Sequence, residues 1–212
     1  AVLSYPGVTR VDVVEINPDI VPASHCFADA NGRYWEDPRV RIHVEDAKTF
    51  LQLSSEPYDV IISEPTNPWI AGVAGVFSRE FFETCRGHLR PDGLFTQWIQ
   101  SYELEDATFF LMHETVTSVF PFYTLWNMTR TDTCLVCAPN AYAPDFPRME
   151  ARLHTPAVAA DLAQINLRNL TTLLCMQSAN HAGDGRFTPW FGTEHSDFFP
   201  ILDYIAPCGV FT

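Results

Sequence analysis

Residues 11–18 read Val-Asp-Val-Val-Glu-Ile-Asn-Pro, and this stretch decides the fold. Its β-branched apolar run predicts a buried parallel strand that ends on an acid and a turn. Two similar runs follow, Val-Arg-Ile-His-Val at 40–44 and Tyr-Asp-Val-Ile-Ile at 58–62. Helical patterns lie between the strands, from Asp19 onward and from Asp46 to Leu53. The sequence therefore predicts an α/β fold with a mostly parallel sheet and helices on both faces.

Further elements continue this alternation along the chain. Ser78 predicts the start of a helix that stops at Arg90-Pro91-Asp92-Gly93. The remaining expected elements are a strand at 94–99, a helix at 105–118, strands at 123–126 and 134–137, helices near 156–166 and 167–178, and a Gly-rich loop containing Gly183, Gly185 and Gly192. We expect residues 1–138 to form the core and 139–212 to form an extension of the same domain.

Composition excludes several classes of protein. The chain has 212 residues, 47% hydrophobic and 18% charged, which is typical of one globular α/β domain. Its 13 basic against 26 acidic residues give a formal net charge of −13, which repels nucleic acid and favours small cationic ligands. The sequence predicts no membrane-spanning segment in this chain.

Six scattered cysteines predict a reduced, cytoplasmic environment. Cys134 and Cys137 form a CxxC, but their segment reads as a strand, in which residues three apart point to opposite faces. A looser group, His181, Asp184, Glu194, His195 and Asp197, contains metal-ligating residue types. Its spacing matches no compact metal motif, so we expect no metal.

Acidic residues follow the first two predicted strands. Glu15 stands where a carboxylate accepts hydrogen bonds from ribose hydroxyls, at the carboxyl end of a parallel strand. Asp46 stands where it meets an adenine amine, although it also fits a helix N-cap. Because Glu-Pro-Thr-Asn-Pro-Trp (64–69) follows the third strand, the pattern predicts a nucleoside pocket that extends into a substrate pocket.

These motifs resemble the spermidine synthase family of aminopropyltransferases. The resemblance covers roughly residues 1–138 in order, including Asp37-Pro38-Arg39-Val40, Glu45-Asp46-Ala47, Phe77-Ser78-Arg79-Glu80-Phe81-Phe82, the turn 90–93 and Gln97. It implies a Rossmann-like S-adenosylmethionine-dependent transferase fold. The loop 63–69 and the tail 195–204 are similar to a bacterial subgroup that is often fused to a membrane segment. The resemblance implies that the tail 195–204 is a closing strand and that the protein is a homo-oligomer.

The resemblance also implies roles for particular residues. Glu15 would hold the ribose of decarboxylated S-adenosylmethionine or a related nucleoside, and Asp46 with Ala47 would meet its adenine. Glu64 falls at the position of the catalytic aspartate, whereas Asn67 falls where a second aspartate holds the amine substrate. Gln97 matches a substrate-binding residue. Trp69 and Trp98 are aromatic candidates for a cation–π contact with the substrate, or ordinary packing residues.

Two departures keep three functions open. Asn67 removes a negative charge that a cationic polyamine would use, which favours methyl transfer over aminopropyl transfer. Family members also have a first strand and a glycine-rich turn, and this sequence starts beyond them at Ala1, so the resemblance implies an N-terminally truncated fold. The candidates are an aminopropyltransferase acting on a small amine, a methyltransferase using S-adenosylmethionine, and a non-catalytic nucleoside- or polyamine-binding module.

Overall fold

The computed structural model describes residues 2–182 and 192–210. In chain order the elements are β1 (Val11–Glu15), α1 (Ile20–Ser24), α2 (Ala28–Asn31), β2 (Val40–Val44), α3 (Ala47–Leu53), β3 (Tyr58–Ser63), α4 (Arg79–Gly87), β4 (Leu89–Gln100), α5 (Asp106–Val119), β5 (Phe122–Asn127), β6 (Asp132–Ala138), α6 (Phe146–Leu153), α7 (Pro156–Ala163), α8 (Leu170–Leu174), β7 (Gln177–Asn180) and α9 (Ile201–Gly209). The predicted α/β class is confirmed.

The chain divides into two compact units, each described here by itself. The first comprises Ala1–Ser54 and Pro144–Leu173, and the second comprises Ser55–Ala143 and Leu174–Thr212. The described strands form a two-stranded sheet, β1-β2, and a five-stranded sheet in the order β3-β4-β6-β5-β7. Pairing is parallel between β1 and β2 and between β3 and β4, and it is antiparallel in the other three pairs.

In the first unit, β1 and β2 run side by side with Val11 opposite Val40 and Glu15 opposite Val44. Arg39, just before β2, fixes the amino-terminal segment, because its guanidinium donates hydrogen bonds to the carbonyls of Leu3 and Val8. The same guanidinium pairs with Asp37 at 2.7 Å and, mainly through this hydrogen bonding, lowers the pKa of that carboxyl to about 2. Because β1 and β2 are parallel, their carboxyl ends lie at the same edge of this sheet.

In the second unit, the core lies between the sheet and helices α4 and α5. Fully buried Phe82, Phe95 and Phe120 form its centre, with the Phe95 and Phe120 rings stacked at 5.0 Å. Ser78 caps α4 by accepting a hydrogen bond from the Phe81 amide, which confirms the predicted start of this helix. Gly93 is required in β4, because a Cβ atom there would lie 3.0 Å from the Arg90 carbonyl oxygen.

Strand β3 is an edge strand of the five-stranded sheet, with β4 as its neighbour. Two of its aliphatic side chains are accessible to solvent, since Val60 is 49% exposed and Ile62 is 56% exposed. The apolar run at 58–62 predicts a strand covered on both faces. The strand is present, but the burial expected on both faces is not found.

Two predicted elements near the carboxyl terminus are wrong. Residues 200–204 do not form a closing strand, because helix α9 occupies this region and buries Leu202, Ala206 and Gly209 at helical spacing. The helix predicted at 167–178 is limited to α8, and Gln177–Asn180 instead pairs with β5 as strand β7. Helix α6 lies in the expected extension 139–212, and Asp145 caps it by accepting from the Arg148 amide.

Candidate functional site

Glu15 ends β1 in the first unit, at the same edge of the sheet as the end of β2. The Glu45 amide donates to the Glu15 backbone carbonyl at 3.1 Å, which links the two strand ends. The Glu15 side chain is positioned locally, because its Oε1 accepts a hydrogen bond from the Asn17 amide at 2.8 Å. One carboxylate thus stands at the carboxyl end of a parallel strand, where α/β proteins bind ligands.

Asp46 follows β2 and caps helix α3. Its Oδ1 accepts from the Thr49 amide at 2.8 Å and from the Thr49 hydroxyl at 3.0 Å. Ala47 is the first residue of that helix. The capping role expected for Asp46 is therefore present, and the strand register brings Asp46 to the same edge as Glu15.

In the second unit, Glu64 directly follows β3 and its side chain is exposed. Ser63 pairs with Gln97 on β4, which places Glu64 and Gln97 at the same end of the sheet. Cys134 on β6 is opposite Trp98. Burial, and secondarily the negative charge of Glu64, raise the pKa of the Cys134 thiol to about 11, so the carboxylate acts on this end of β6.

Asn67, Trp69 and Tyr102 form a cluster in the same unit. The Tyr102 hydroxyl donates to Asn67 Oδ1 at 3.2 Å. The Trp69 and Tyr102 rings meet edge to face with their centroids 6.0 Å apart. Tyr102 was not identified by sequence reasoning, although its position two residues beyond the carboxyl end of β4 is where such sites form.

Gln97 lies at this end of the sheet but its side chain is fully buried. Its Nε2 donates to the Trp98 carbonyl, while within the described residues its Oε1 has no hydrogen-bond partner. The Oε1 and Nε2 atoms of Gln100, at the end of β4, are also buried and have no hydrogen-bond partner within the described part of the chain. The amide of Gln97 is therefore close to Glu64 in register but covered by protein.

The metal-ligating residue types at 181–197, for which the sequence predicts no metal site, are not brought together in the described residues. Asp184 lies outside them, and the rest form no group of three potential ligands. His195 is buried with both ring nitrogens engaged, since Nε2 contacts the Ala74 carbonyl and Nδ1 accepts from the Leu202 amide. Glu194 pairs with Arg79 at 3.2 Å.

Two clefts of the second unit lie away from Glu64. One of about 370 Å³ is lined by Arg79, Glu80, Glu83 and Glu194 among others. Another of about 680 Å³ is lined by residues that include His113 and Tyr123, and Tyr123 pairs with Cys137 toward the other end of the sheet. Glu64, the predicted catalytic carboxylate, is not among the residues that line these two clefts. We therefore assign the candidate site to the residues at the strand ends and not to the clefts.

All six cysteines are free. Cys134 and Cys137 both lie within β6, as expected for the CxxC, and burial raises the pKa of Cys137. A search of the described helices finds none that is both long enough and apolar enough to cross a membrane.

The fold is the α/β fold of S-adenosylmethionine-dependent transferases. A solved spermidine synthase in complex with the transition-state analogue AdoDATO superposes with a TM-score of 0.58 at 21% identity, covering 66% of this chain and 50% of that one. Human methyltransferase-like protein 13 in complex with SAH gives a TM-score of 0.52 at 19% identity, covering 73% and 71%. These likenesses confirm the fold predicted from sequence.

The chain belongs to the spermine/spermidine synthase family, whose domain model matches residues 1–136. It is similar to a polyamine aminopropyltransferase of Clostridium beijerinckii, with 31% identity over 119 residues. That match covers 55% of this chain and 42% of the relative, so the chain spans less than half the length of this relative. The family predicted from the ordered motifs is thus confirmed.

Proposed function

We propose that this chain binds decarboxylated S-adenosylmethionine or a related nucleoside and transfers its aminopropyl group to an amine, as in polyamine biosynthesis. The observation that carries the proposal is an acid at or just beyond the end of each of three parallel strands, Glu15, Asp46 and Glu64. The carboxyl ends of parallel strands are where α/β proteins bind ligands. Membership of the spermine/spermidine synthase family supports the same reaction.

The proposed nucleoside-binding residues are Glu15, Asp46 and Ala47. The Glu15 carboxylate accepts hydrogen bonds from two ribose hydroxyls, which is the chemistry expected of an acid at this position. Asp46 and the first residue of α3, Ala47, meet the adenine. The cap formed by Asp46 uses Oδ1, and a carboxylate has further acceptor capacity for an exocyclic amine.

The proposed chemical step needs one proton acceptor. The lone pair of the neutral amine attacks the propyl carbon next to the sulfonium, the carbon–sulfur bond breaks, and its electron pair leaves with methylthioadenosine. The proton lost from the amine passes to Glu64, which acts as general base. No metal is needed, because the sulfonium is already a good leaving group.

Asn67, Gln97 and Trp69 are the proposed substrate-binding residues. The exposed position of Glu64 and the neighbouring pair of Asn67 and Tyr102 support an amine site at the end of β3. The glutamate side chain is one methylene longer than the aspartate expected from the resemblance. Alignment of amine, carbon and sulfur therefore depends on how the loop 64–69 is held.

Methyl transfer from S-adenosylmethionine is the second candidate. The specific observation in its favour is Asn67, a neutral side chain at the position where the resemblance implies an aspartate that holds a cationic amine. The third candidate is a non-catalytic nucleoside- or polyamine-binding module.

Calorimetric titration and product mass separate the three candidates. The chain is titrated with methylthioadenosine, S-adenosylmethionine and decarboxylated S-adenosylmethionine, and incubated with each donor and an amine. Micromolar binding that is lost in Glu15→Ala but kept in Glu36→Ala, an exposed acid of the same unit, supports the nucleoside site. An aminopropylated product supports the first candidate, a methylated product the second. A folded chain that binds but gives no product supports the third, and no nucleoside binding excludes the first two candidates and a nucleoside-binding module.

The resemblance to the bacterial subgroup extends the proposal to the setting of the protein. We place the site in the cytoplasm, in a homo-oligomer, and as part of or associated with a membrane-anchored polypeptide. The high proportion of free thiols supports the reduced compartment. Light scattering of the purified chain tests the oligomer, and fractionation of cells tests the membrane association.

A further inference from the structure

Asn67, three residues after Glu64 in the sequence, and Tyr102 form a polar pair, which we call the Asn67–Tyr102 pair. The Tyr102 hydroxyl donates to Asn67 Oδ1 at 3.2 Å, so this amide oxygen is already used as an acceptor. The Asn67 Nδ2 group makes no hydrogen bond within the described part of the chain. The pair therefore presents amide hydrogens as donors, while the Tyr102 oxygen keeps its lone pairs as acceptors.

The direction of this hydrogen bond determines which ligand groups the pair can bind. An ammonium group carries donors only, and it is held best by a carboxylate. An ammonium group cannot accept from the Nδ2 hydrogens and leaves them unpaired, and Asn67 Oδ1 already accepts one hydrogen bond from Tyr102. A neutral hydroxyl has one donor and acceptor lone pairs, so it matches the Nδ2 hydrogens and the Tyr102 oxygen together.

The surroundings of the pair make it accessible from one side. Tyr102 is 37% exposed, Asn67 is half-buried and Pro68 is buried, which anchors the loop between Glu64 and Trp69. The Trp69 ring lies edge to face with Tyr102 and adds an apolar surface. A short alkyl chain is suited to this surface, with a polar group at each end.

We propose that the Asn67–Tyr102 pair selects an acceptor with an amine at one end and a neutral hydroxyl at the other, an amino alcohol, over a diamine. The inference rests on the proposed function, because it names the acceptor class of that same site. The amine nitrogen of the amino alcohol forms the new bond to the propyl carbon, methylthioadenosine leaves, and Glu64 takes the proton. The hydroxyl is unchanged and remains bound to the pair.

Binding of three amines tests the selection directly. The chain, saturated with methylthioadenosine, is titrated with 4-aminobutan-1-ol, 1,4-diaminobutane and butylamine. We expect the amino alcohol to bind about tenfold more tightly than either of the others, because only it satisfies the pair. Asn67→Asp introduces a carboxylate, and it is expected to reverse the order of amino alcohol and diamine by about tenfold or more.

A matched control removes the effect of net charge. Asn140→Asp makes the same chemical change beyond β6, where Asn140 donates to the Pro91 carbonyl near the start of β4, at the other end of the sheet. It should leave the order unchanged. Tyr102→Phe removes the hydroxyl and should bring the amino alcohol to the affinity of butylamine.

The outcomes distinguish this inference from the proposed function. Tighter binding of the diamine than of the amino alcohol, equal effects of the two Asn→Asp variants, or no amine binding at all overturns the inference. Release of methylthioadenosine from decarboxylated S-adenosylmethionine is measured separately with each amine. The expected binding order without any release supports the inference and counts against aminopropyl transfer.

Discussion

The His195 ring joins Ala74 and Leu202, two segments far apart in sequence. Its Nε2 lies 2.9 Å from the Ala74 carbonyl oxygen, and its Nδ1 accepts from the Leu202 amide. The tautomer that satisfies both contacts carries its proton on Nε2. The backbone of His195 adds two more contacts, donating to Thr115 Oγ1 and accepting from the Arg79 amide. One buried neutral histidine thus fixes the carboxyl-terminal segment of the second unit.

Replacing His195 should destabilise the fold. His195→Ala leaves the Ala74 carbonyl and the Leu202 amide unsatisfied in a buried place, so we expect the free energy of unfolding to fall by roughly 2–4 kcal/mol. Urea unfolding measures this loss. His154→Ala, which removes an exposed partner of Glu150, should cost less than about 1 kcal/mol. Equal losses in the two variants would contradict the structural role of His195.

Stability should depend on pH through His113. Burial lowers the pKa of His113 from its ordinary 6.5 to about 4. Because the unfolded chain then binds more protons between these values, the contribution is complete above about pH 6.5 and is lost as pH falls toward 4. We expect the free energy of unfolding to fall by roughly 2 kcal/mol between pH 7.5 and 5 from this residue.

His195 acts in the same direction, since burial lowers its pKa too. The His113 contribution is therefore measured as the difference between the parent chain and His113→Phe, whose ring fits the edge-to-face contact with Tyr123. The parent chain should lose more stability on acidification than the variant. Parallel pH profiles would show that His113 is not buried in its neutral form.

Capping and ligand binding by Asp46 can be separated. Asp46→Ser keeps a side-chain acceptor for the Thr49 amide, so the free energy of unfolding should change by less than about 0.5 kcal/mol. Asp46→Ala should cost about 1 kcal/mol. If Asp46 also meets adenine, both variants weaken nucleoside binding in calorimetry. Normal nucleoside affinity in Asp46→Ser would leave the cap as its whole role.

Thiol reactivity reports the contact between Glu64 and Cys134. Removing the charge in Glu64→Gln lowers the pKa of the thiol, and alkylation of Cys134 at pH 8 should become roughly twofold faster. The rate is followed by peptide mass spectrometry, because Cys26, Cys175 and Cys208 are exposed and also react. Asp59→Asn, at the other end of β3, should leave the rate unchanged. An unaltered rate in Glu64→Gln would place its carboxylate away from β6.

Glu64→Gln also tests the proposed chemistry. Loss of a general base commonly lowers turnover by 10²–10⁴-fold, so a drop of about this size is expected in methylthioadenosine release. Nucleoside affinity should stay within about threefold, because Glu64 has no proposed role in binding the ribose or the adenine. Undiminished turnover would exclude Glu64 as the base.

Much of the framework could be predicted from local sequence. The runs at 11–16, 40–44 and 58–62 specify strands, because β-branched residues in short apolar stretches favour them. Ser78 and Asp46 specify helix starts through their side-chain caps, and both caps are present. Because Glu15 and Glu64 lie at the ends of these runs, the local sequence alone predicts that they stand at strand ends.

The rest depends on contacts between distant residues. Residues 200–204 read as a strand by resemblance, but Leu202, Ala206 and Gly209 are buried at helical spacing in α9. The Asn67–Tyr102 pair joins residues 35 apart in sequence, and no local pattern predicts such a bond. The burial of the Gln97 side chain is likewise set by the packing of the sheet, and the residue type alone does not predict it.

The open edge of β3 determines how this chain behaves at high concentration. Within the described part of the chain β3 pairs with β4 alone, and Val60 and Ile62 are accessible, so this edge is a place where another strand can add by main-chain hydrogen bonds. The net charge of −13 keeps copies apart at low ionic strength, and salt screens that repulsion within a distance of about 10 Å at 0.1 M. We therefore expect added salt to promote association of copies through this edge, with the fold itself unchanged.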